Sequence, residues 1–435
     1  MRGEVVDDNR SAWLAELPPY EAGPALRGAI TADVAIVGGG ITGVSTAWHL
    51  AERFPSRRIV VLEARALAAG ASGRNGGQVL NGINGVEPRE REEALRVQAA
   101  TSAGIDAVEA LAGHSTLPCG FVRQGALEVC TTAASAEGGE ERARTWASWG
   151  LPVRWLGRGE LGIAGAHGAV LDTSAGRVNC AALVRGLRGP LAARGVTIYE
   201  GTPVVRVEEG DPLVLTTPGG TVRAQALVLA TNGYTPALGF FRGGVLPLHS
   251  HVVATAPLSP EVWGRLGFDG FADDLDRIAY GCRTPGDRLV FGGGSNAAYT
   301  YRFAGRPTFD GERPRAGRHF AAIEARMRSY FPALGDAAIE ARWSGLLGIT
   351  FDRVCSMGVG GPRRNVFHAL GYSGHGLALG ALAGAVIRDL YSDAHEPWQG
   401  LPFYQRRLRW IPPEPLRWLG YQVFTRVTGR SPRRR

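Results

Sequence analysis

Residues 33–63 constrain this chain more than any other stretch. DVAIV (33–37) is an apolar run of strand length, and it meets GGGITG (38–43), which holds Gly38-x-Gly40-x-x-Gly43. VSTAWHLAERF (44–54) then sets Val44, Trp48 and Leu50/Ala51 at helical spacing, and RIVVLEA (58–64) is a second apolar run ending in Glu63. Strand, glycine loop, helix, strand and acid, in that order, is the layout of a dinucleotide-binding βαβ unit. Gly38 permits the tight turn, Gly40 lets the backbone approach a pyrophosphate, and Gly43 lets the helix pack on the strand. Ile41 and Thr42 open the helix, whose first N–H groups and positive dipole end suit phosphate. Glu63, with Ala64 and Arg65 beside it, is placed to accept hydrogen bonds from an adenosine ribose. An acid there disfavours a 2′-phosphate, so the pattern expects FAD or NAD rather than NADP and does not separate the two.

Composition sets the outer limits. At 435 residues the chain has room for two or three domain-sized units, and a charged fraction of 20% is ordinary for a globular protein. No apolar run reaches the length of a spanning helix and the first residues lack a signal-peptide pattern, so a cytoplasmic location is expected. The five cysteines are scattered without a CxxC, which speaks against zinc or a disulfide framework and for buried thiols. No metal site is expected. The chain has no lysine, which removes Schiff-base chemistry through that residue. Its excess charge is local: residues 401–435 carry nine arginines and one acid, the whole net charge of +8. Nucleic acid is therefore an improbable partner for the body of the chain, and the basic tail needs its own explanation. Within it, Leu416, Leu419 and Val423 share a helical face that could lie on a membrane, on an acidic partner, or on the chain's own nucleotide domain.

GASGRNGGQ (70–78) follows the second strand, and its four glycines, serine, arginine and asparagine exceed what a plain turn requires. Together with ALVLATNGYTP (226–236) and NVFHALGYSGHGLALG (365–380), it resembles the FAD-dependent amine and amino-acid oxidoreductases, the superfamily of D-amino-acid, glycine and sarcosine oxidases. Within that superfamily the chain is most similar to the gamma-glutamylputrescine oxidoreductase branch, where RNGGQ is habitual.

The resemblance implies an α/β fold, α+β overall: a Rossmann-like FAD-binding domain (27–88, 173–243 and 345–395) with an inserted antiparallel-sheet substrate domain (89–172 and 244–344), followed by the basic tail (396–435). It implies helices over 87–113, around 135–149, over 179–195 with Asn179 as cap, and over 377–391. It puts Ser72 and Arg74 on the phosphate side of the cofactor. Asn75, Gly76, Gly77 and Gln78 would run beneath the isoalloxazine, the glycines giving side-chain-free approach. Val204 and Val205 would lie near the adenine, and Ala230, Thr231, Asn232 and Gly233 near the pyrophosphate. Gly371 and Tyr372 would lead into Gly374, His375 and Gly376, whose backbone would face the flavin N1/O2 edge and favour negative charge on the reduced ring.

Two departures from the family carry consequences. Covalent members have a cysteine where this chain has Gly345, so non-covalent FAD is expected. A lysine promotes the oxygen reaction in several members and is absent here, so a quinone or carrier protein stands beside oxygen as acceptor. The expected activity is oxidation of a C–N bond in a small amine or amino acid by hydride transfer to FAD, with imine hydrolysis and hydrogen peroxide as by-product. A tailoring enzyme on a nucleic-acid or carrier-bound substrate is the remaining alternative. Candidate catalytic residues are His375, the pair His249 and His251 on one face of a strand, Arg283 for a substrate carboxylate, and Trp343 beside the flavin. The histidine pair also fits hydrogen-bonded positions within a sheet, and Arg283 a solvated loop.

Overall fold

The computed structural model describes residues 10–295, 298–301, 303 and 316–427; the arginines at 430 and 433–435 of the expected tail lie outside the described residues. Two sheets organise the chain. The first contains β1 (Gly28–Val37), β2 (Ile59–Leu62), β8 (Thr197–Tyr199), β9 (Arg206–Glu208), β10 (Leu213–Thr217), β11 (Gly220–Leu229), β18 (Ser356–Gly360) and β19 (Val366–Leu370). Its main order is β18-β19-β11-β1-β2-β8, parallel from β19 to β8. β18 and the β9–β10 pair add antiparallel strands at its margins. Every residue of β2 and the last four of β1 are buried, which is why both read as continuous apolar runs.

Helices α2 (Ile41–Arg53), α3 (Arg91–His114), α5 (Cys180–Gly186) and α9 (Gly376–Tyr391) contribute to the largest apolar core, on this sheet. α2 and α9 run parallel in close contact. The Ser45 hydroxyl donates to Ala381 O at 2.6 Å, and Thr42 Oγ1 lies 2.9 Å from the Tyr372 hydroxyl. Gly380 and Gly384 leave room for Ile41 and Ser45, where any side chain would collide.

The second sheet contains β4 (Ala126–Cys130), β5 (Val153–Gly157), β6 (Gly168–Asp172), β12 (Leu246–Thr255), β13 (Gly270–Asp273), β14 (Ala279–Arg283), β15 (Leu289–Gly293), β16 (Tyr299–Thr300) and β17 (Ile339–Ile349). Its path is β16-β12-β15-β14-β13-β4-β6-β5, with β17 also paired to β12. The expected purely antiparallel sheet is corrected in one place: β4 and β13 are parallel, because they join the two separate insertions, so the sheet is mixed. α7 (Pro260–Leu266) and α8 (Ala316–Tyr330) pack on it over Phe268, Phe271, Phe291 and Phe331. A two-stranded ladder, β3 (Gln78–Val79) with β7 (Gly176–Arg177), lies apart from both sheets.

The expected helix over 179–195 is two helices, α5 and α6 (Arg188–Ala193). Pro190 has no N–H to offer Gly186 O, and that carbonyl is satisfied by the Thr116 backbone N–H and hydroxyl instead. Asn179 is the cap, its side chain accepting from Ala182 N at 3.1 Å. α4 (Ala133–Ser148) carries a capping box from Thr132 and Ser135. α10 (Leu416–Val427) ends the described chain. Residues 10–26 form an arm on the nucleotide side that begins with the short helix α1 (Ala12–Ala15). The buried Glu200 carboxylate holds this arm through the Tyr20 hydroxyl and Gly23 N, and it also accepts from Leu67 N.

Candidate active site

The site lies at the C-terminal ends of the parallel strands, where an open α/β sheet binds ligands. A surface groove lined by Ala29, Thr31, Arg58, Thr197 and Arg223 opens at the opposite strand ends and takes no part in it. α2 and α9 present their N-termini side by side. Neither has a side-chain cap at its N-cap residue, Gly40 or His375. Two adjacent positive helix ends therefore face the same space. Gly38 and Gly40 are half-exposed within an otherwise buried run, and Gly374, His375 and Gly376 are likewise accessible. Gly38 has φ +112°, and a Cβ there would meet Ala230 O at 2.7 Å. The turn thus packs directly on the Ala230–Gly233 segment. Asn232 Oδ1 accepts from Gly371 N at 2.9 Å, tying that segment to the approach to α9.

The Glu63 carboxylate is buried at the end of β2 and accepts from Gly39 N at 2.7 Å and Arg65 N at 2.9 Å. Burial pushes its pKa up, against the pull of those two backbone bonds. Ser72 Oγ accepts from Ile41 N at 2.9 Å, so residues 70–78 reach the first turn of α2. Val204 is buried in the core beside Leu62, while Val205 is 60% exposed, so only the latter has an open side chain.

The loop at 70–78 is gripped from two directions. The Arg74 carbonyl accepts from Trp343 Nε1 at 3.0 Å, and the next carbonyl, of Asn75, accepts from Trp13 Nε1 at 2.7 Å. Ser11 Oγ donates to Gly73 O at 2.5 Å. The Arg74 side chain is buried and donates to Ala69 O and Ser344 O. Asn75 braces the turn internally, donating to Ser72 O and accepting from Gly77 N. Gln78 donates to Phe271 O at 3.0 Å. The sequence-based reason for Gly76 and Gly77 needs correcting. Their Cβ directions point at protein, Gly76 at the Tyr280 ring (2.8 Å) and Gly77 at the Trp13 indole (2.5 Å, with φ +79°). Both glycines are required by protein packing, whatever else lies on the loop.

Strand alternation sorts the candidates on β12. His249 and His251 share a face as expected, but it is the face under α8. The His251 ring stacks 5.0 Å from His319, and its nitrogens lie 2.6 Å from Ser344 Oγ and 3.2 Å from Thr300 Oγ1. Between them, Ser250 points the other way, 3.2 Å from the Tyr280 hydroxyl and towards the 70–78 loop. Gly345, paired with Ser250, lies against Arg74 Cβ. The histidine pair is therefore separated from the loop, and Ser250 and Tyr280 occupy the position given to it. Burial raises the Tyr280 pKa, so the hydroxyl keeps its proton. Arg283 is also separated from the loop. Its guanidinium is held by Asp287 at 2.6 Å and Asp269 at 3.5 Å, over the Trp263 ring. Among the described residues, no group of three or more His, Cys, Asp or Glu could hold a metal ion.

Residues 33–390 match the family described as DAO, FAD dependent oxidoreductase. The chain belongs to this family. It is 28% identical to gamma-glutamylputrescine oxidoreductase of Escherichia coli (strain K12) over 92% of this chain and 93% of that protein. It is 28% identical to glycine oxidase of Geobacillus kaustophilus (strain HTA426), over 85% of this chain and 96% of the relative. The crystal structure of the Geobacillus kaustophilus glycine oxidase superposes with a TM-score of 0.73 at 25% identity, covering 87% of this chain and 99% of that one.

As a DAO-family member the chain is an FAD-dependent oxidoreductase acting on CH–NH or CH–NH2 groups, with FAD held non-covalently. The residues present fit that cofactor. A glycine cradle at 38–43, a buried acid at the end of β2 and two open helix N-termini form one continuous surface. Position 345 has no nucleophile to bond a flavin.

Proposed function

We propose that this chain oxidises the C–N bond of a small amine or amino acid by hydride transfer to FAD, with oxygen as the final acceptor. A hydride leaves the carbon and a proton leaves the nitrogen. Water then converts the imine to a carbonyl compound and a free amine, and oxygen takes up the two electrons and two protons as hydrogen peroxide. FAD supplies the two-electron acceptor when bound. One observation carries the reading: the parallel N-termini of α2 and α9 open on the same space, bordered by the 70–78 loop.

The remaining work falls to the chain. The first turn of α2 and the 38–43 backbone suit the phosphates, and Glu63 suits the ribose. The N-terminus of α9 favours negative charge beside it. Ser250 and Tyr280 offer hydroxyl groups from the substrate sheet to orient an amine. A site walled by buried side chains favours the neutral amine, the form that can release hydride. The names of the relatives, which include glycine and gamma-glutamylputrescine, support a small amine-bearing substrate.

The absence of lysine supports a second acceptor, a quinone or carrier protein in place of oxygen. Aerobic incubation with an amine panel tests both readings. Carbonyl and peroxide in equal amounts are expected. Carbonyl that forms only with added quinone removes oxygen as acceptor, and no carbonyl under either condition removes the reaction.

A further inference from the structure

α10 is turned inside out. In a helix that closes onto its own protein, the apolar stripe faces inward. Here the inward contacts come from Arg417, Tyr421 and Trp418. Arg417 donates to Pro412 O and Arg242 O, Tyr421 donates to Tyr299 O at 3.0 Å, and the Trp418 ring meets Phe303. Leu416, Leu419, Val423 and Val427, spaced three, four and four residues apart, form one stripe on the far side. They are 60%, 54%, 52% and 78% exposed, and no residue of the helix is buried. Trp410, just before the helix, is 68% exposed.

The charge around this stripe is one-sided. Nine arginines and a single acid occupy residues 401–435. That acid, Glu414, is engaged by the Tyr301 hydroxyl and Trp418 N, so it turns inward. An outward apolar stripe flanked by tryptophan and arginine suits an interface between hydrocarbon and anionic headgroups. A second copy of the chain would bring two such basic segments together, with like charges opposed. No helix among the described residues is long and apolar enough to cross a membrane.

We propose that α10 and its basic flanks dock the protein in the plane of an anionic phospholipid surface, with the Leu416–Val427 stripe immersed in it. The docking is independent of which acceptor takes the electrons. It places the enzyme on a surface where a lipid-soluble amine or quinone would be concentrated.

The FAD-loaded protein is mixed with vesicles of phosphatidylcholine alone or enriched in phosphatidylglycerol, then sedimented. Binding to the anionic vesicles is expected, together with release by added salt and little binding to phosphatidylcholine. The double variant Leu419→Ser/Val423→Ser removes two exposed side chains, so its flavin content and its turnover of a soluble amine remain those of the parent. Its vesicle affinity falls at least about tenfold. Equal binding by parent and double variant overturns the proposal, as does no binding to anionic vesicles. A dimer of the parent that the double variant abolishes would assign the stripe to a second copy and overturn it as well.

Discussion

Replacing Trp13 with phenylalanine tests whether the N-terminal arm holds the cofactor loop. The indole is 1% exposed, lies on Gly77 and donates to Asn75 O at 2.7 Å. Phenylalanine keeps an aromatic ring but has no donor, so a buried carbonyl loses its partner. Such a loss costs about 1–3 kcal/mol. If the loop is seated only when FAD is bound, that cost reads directly as affinity, a rise in Kd of roughly five- to a hundredfold. Titration of FAD into apoprotein, followed by quenching of flavin fluorescence, measures it. Trp343→Phe removes the donor to the preceding carbonyl, of Arg74. Because the two carbonyls are consecutive, the paired variant is expected to depart from additivity. A Trp13→Phe protein that melts earlier but binds FAD with unchanged Kd would refute the clasp, since the arm would then support the fold alone.

Three further outcomes follow from single sites. His368 is buried beside Ser356 and Phe241, and burial pushes its pKa down to about 4. The unfolded chain binds a proton there below about pH 6.5, so this site's stability is complete above that pH and is lost as pH falls towards 4. The loss is about 3 kcal/mol in all. His368→Gln should flatten that part of the slope in urea midpoints between pH 7 and pH 4.5, and an unchanged slope would contradict the assignment. A Cβ at Gly384 would lie 2.5 Å from Ser45 O, so Gly384→Val should part α2 from α9 at a cost of about 3 kcal/mol. Low soluble yield without bound FAD is expected, whereas Gly420→Ala on α10, with nothing within 4 Å, should be silent. Arg283→Gln breaks ion pairs outside the site, and steady-state kinetics should show kcat and KM unchanged; a large rise in KM for an amino acid would return Arg283 to the substrate.

The nucleotide unit was legible because its signals are local. Strand, glycine loop, helix and acid occupy one continuous stretch, and the backbone needs of Gly38 and Gly43 are met within it. The approach to α9 was legible for the same reason. The arm was not, because Trp13 and Asn75 are far apart in the chain and only tertiary packing joins them. Alternation along β12 correctly paired His249 with His251 but could not say which face α8 would cover. The same alternation already set Ser250 on the opposite face, which was the available signal for it. Gly76 and Gly77 were legible as glycines that something approaches closely, but the approaching groups proved to include Tyr280 and Trp13. The break at Leu187 was foreshadowed by Pro190, and Thr116 as the replacement donor depends on a distant segment.

The most direct test of the central claim is anaerobic mixing of the purified, FAD-loaded protein with a panel of small amines and amino acids, read by loss of the flavin's visible absorbance. Rapid bleaching by at least one compound, with release of its carbonyl product and recovery of colour on reoxidation, is the expected result. Protein that binds no FAD, or bound flavin that no amine or amino acid reduces, would contradict the account.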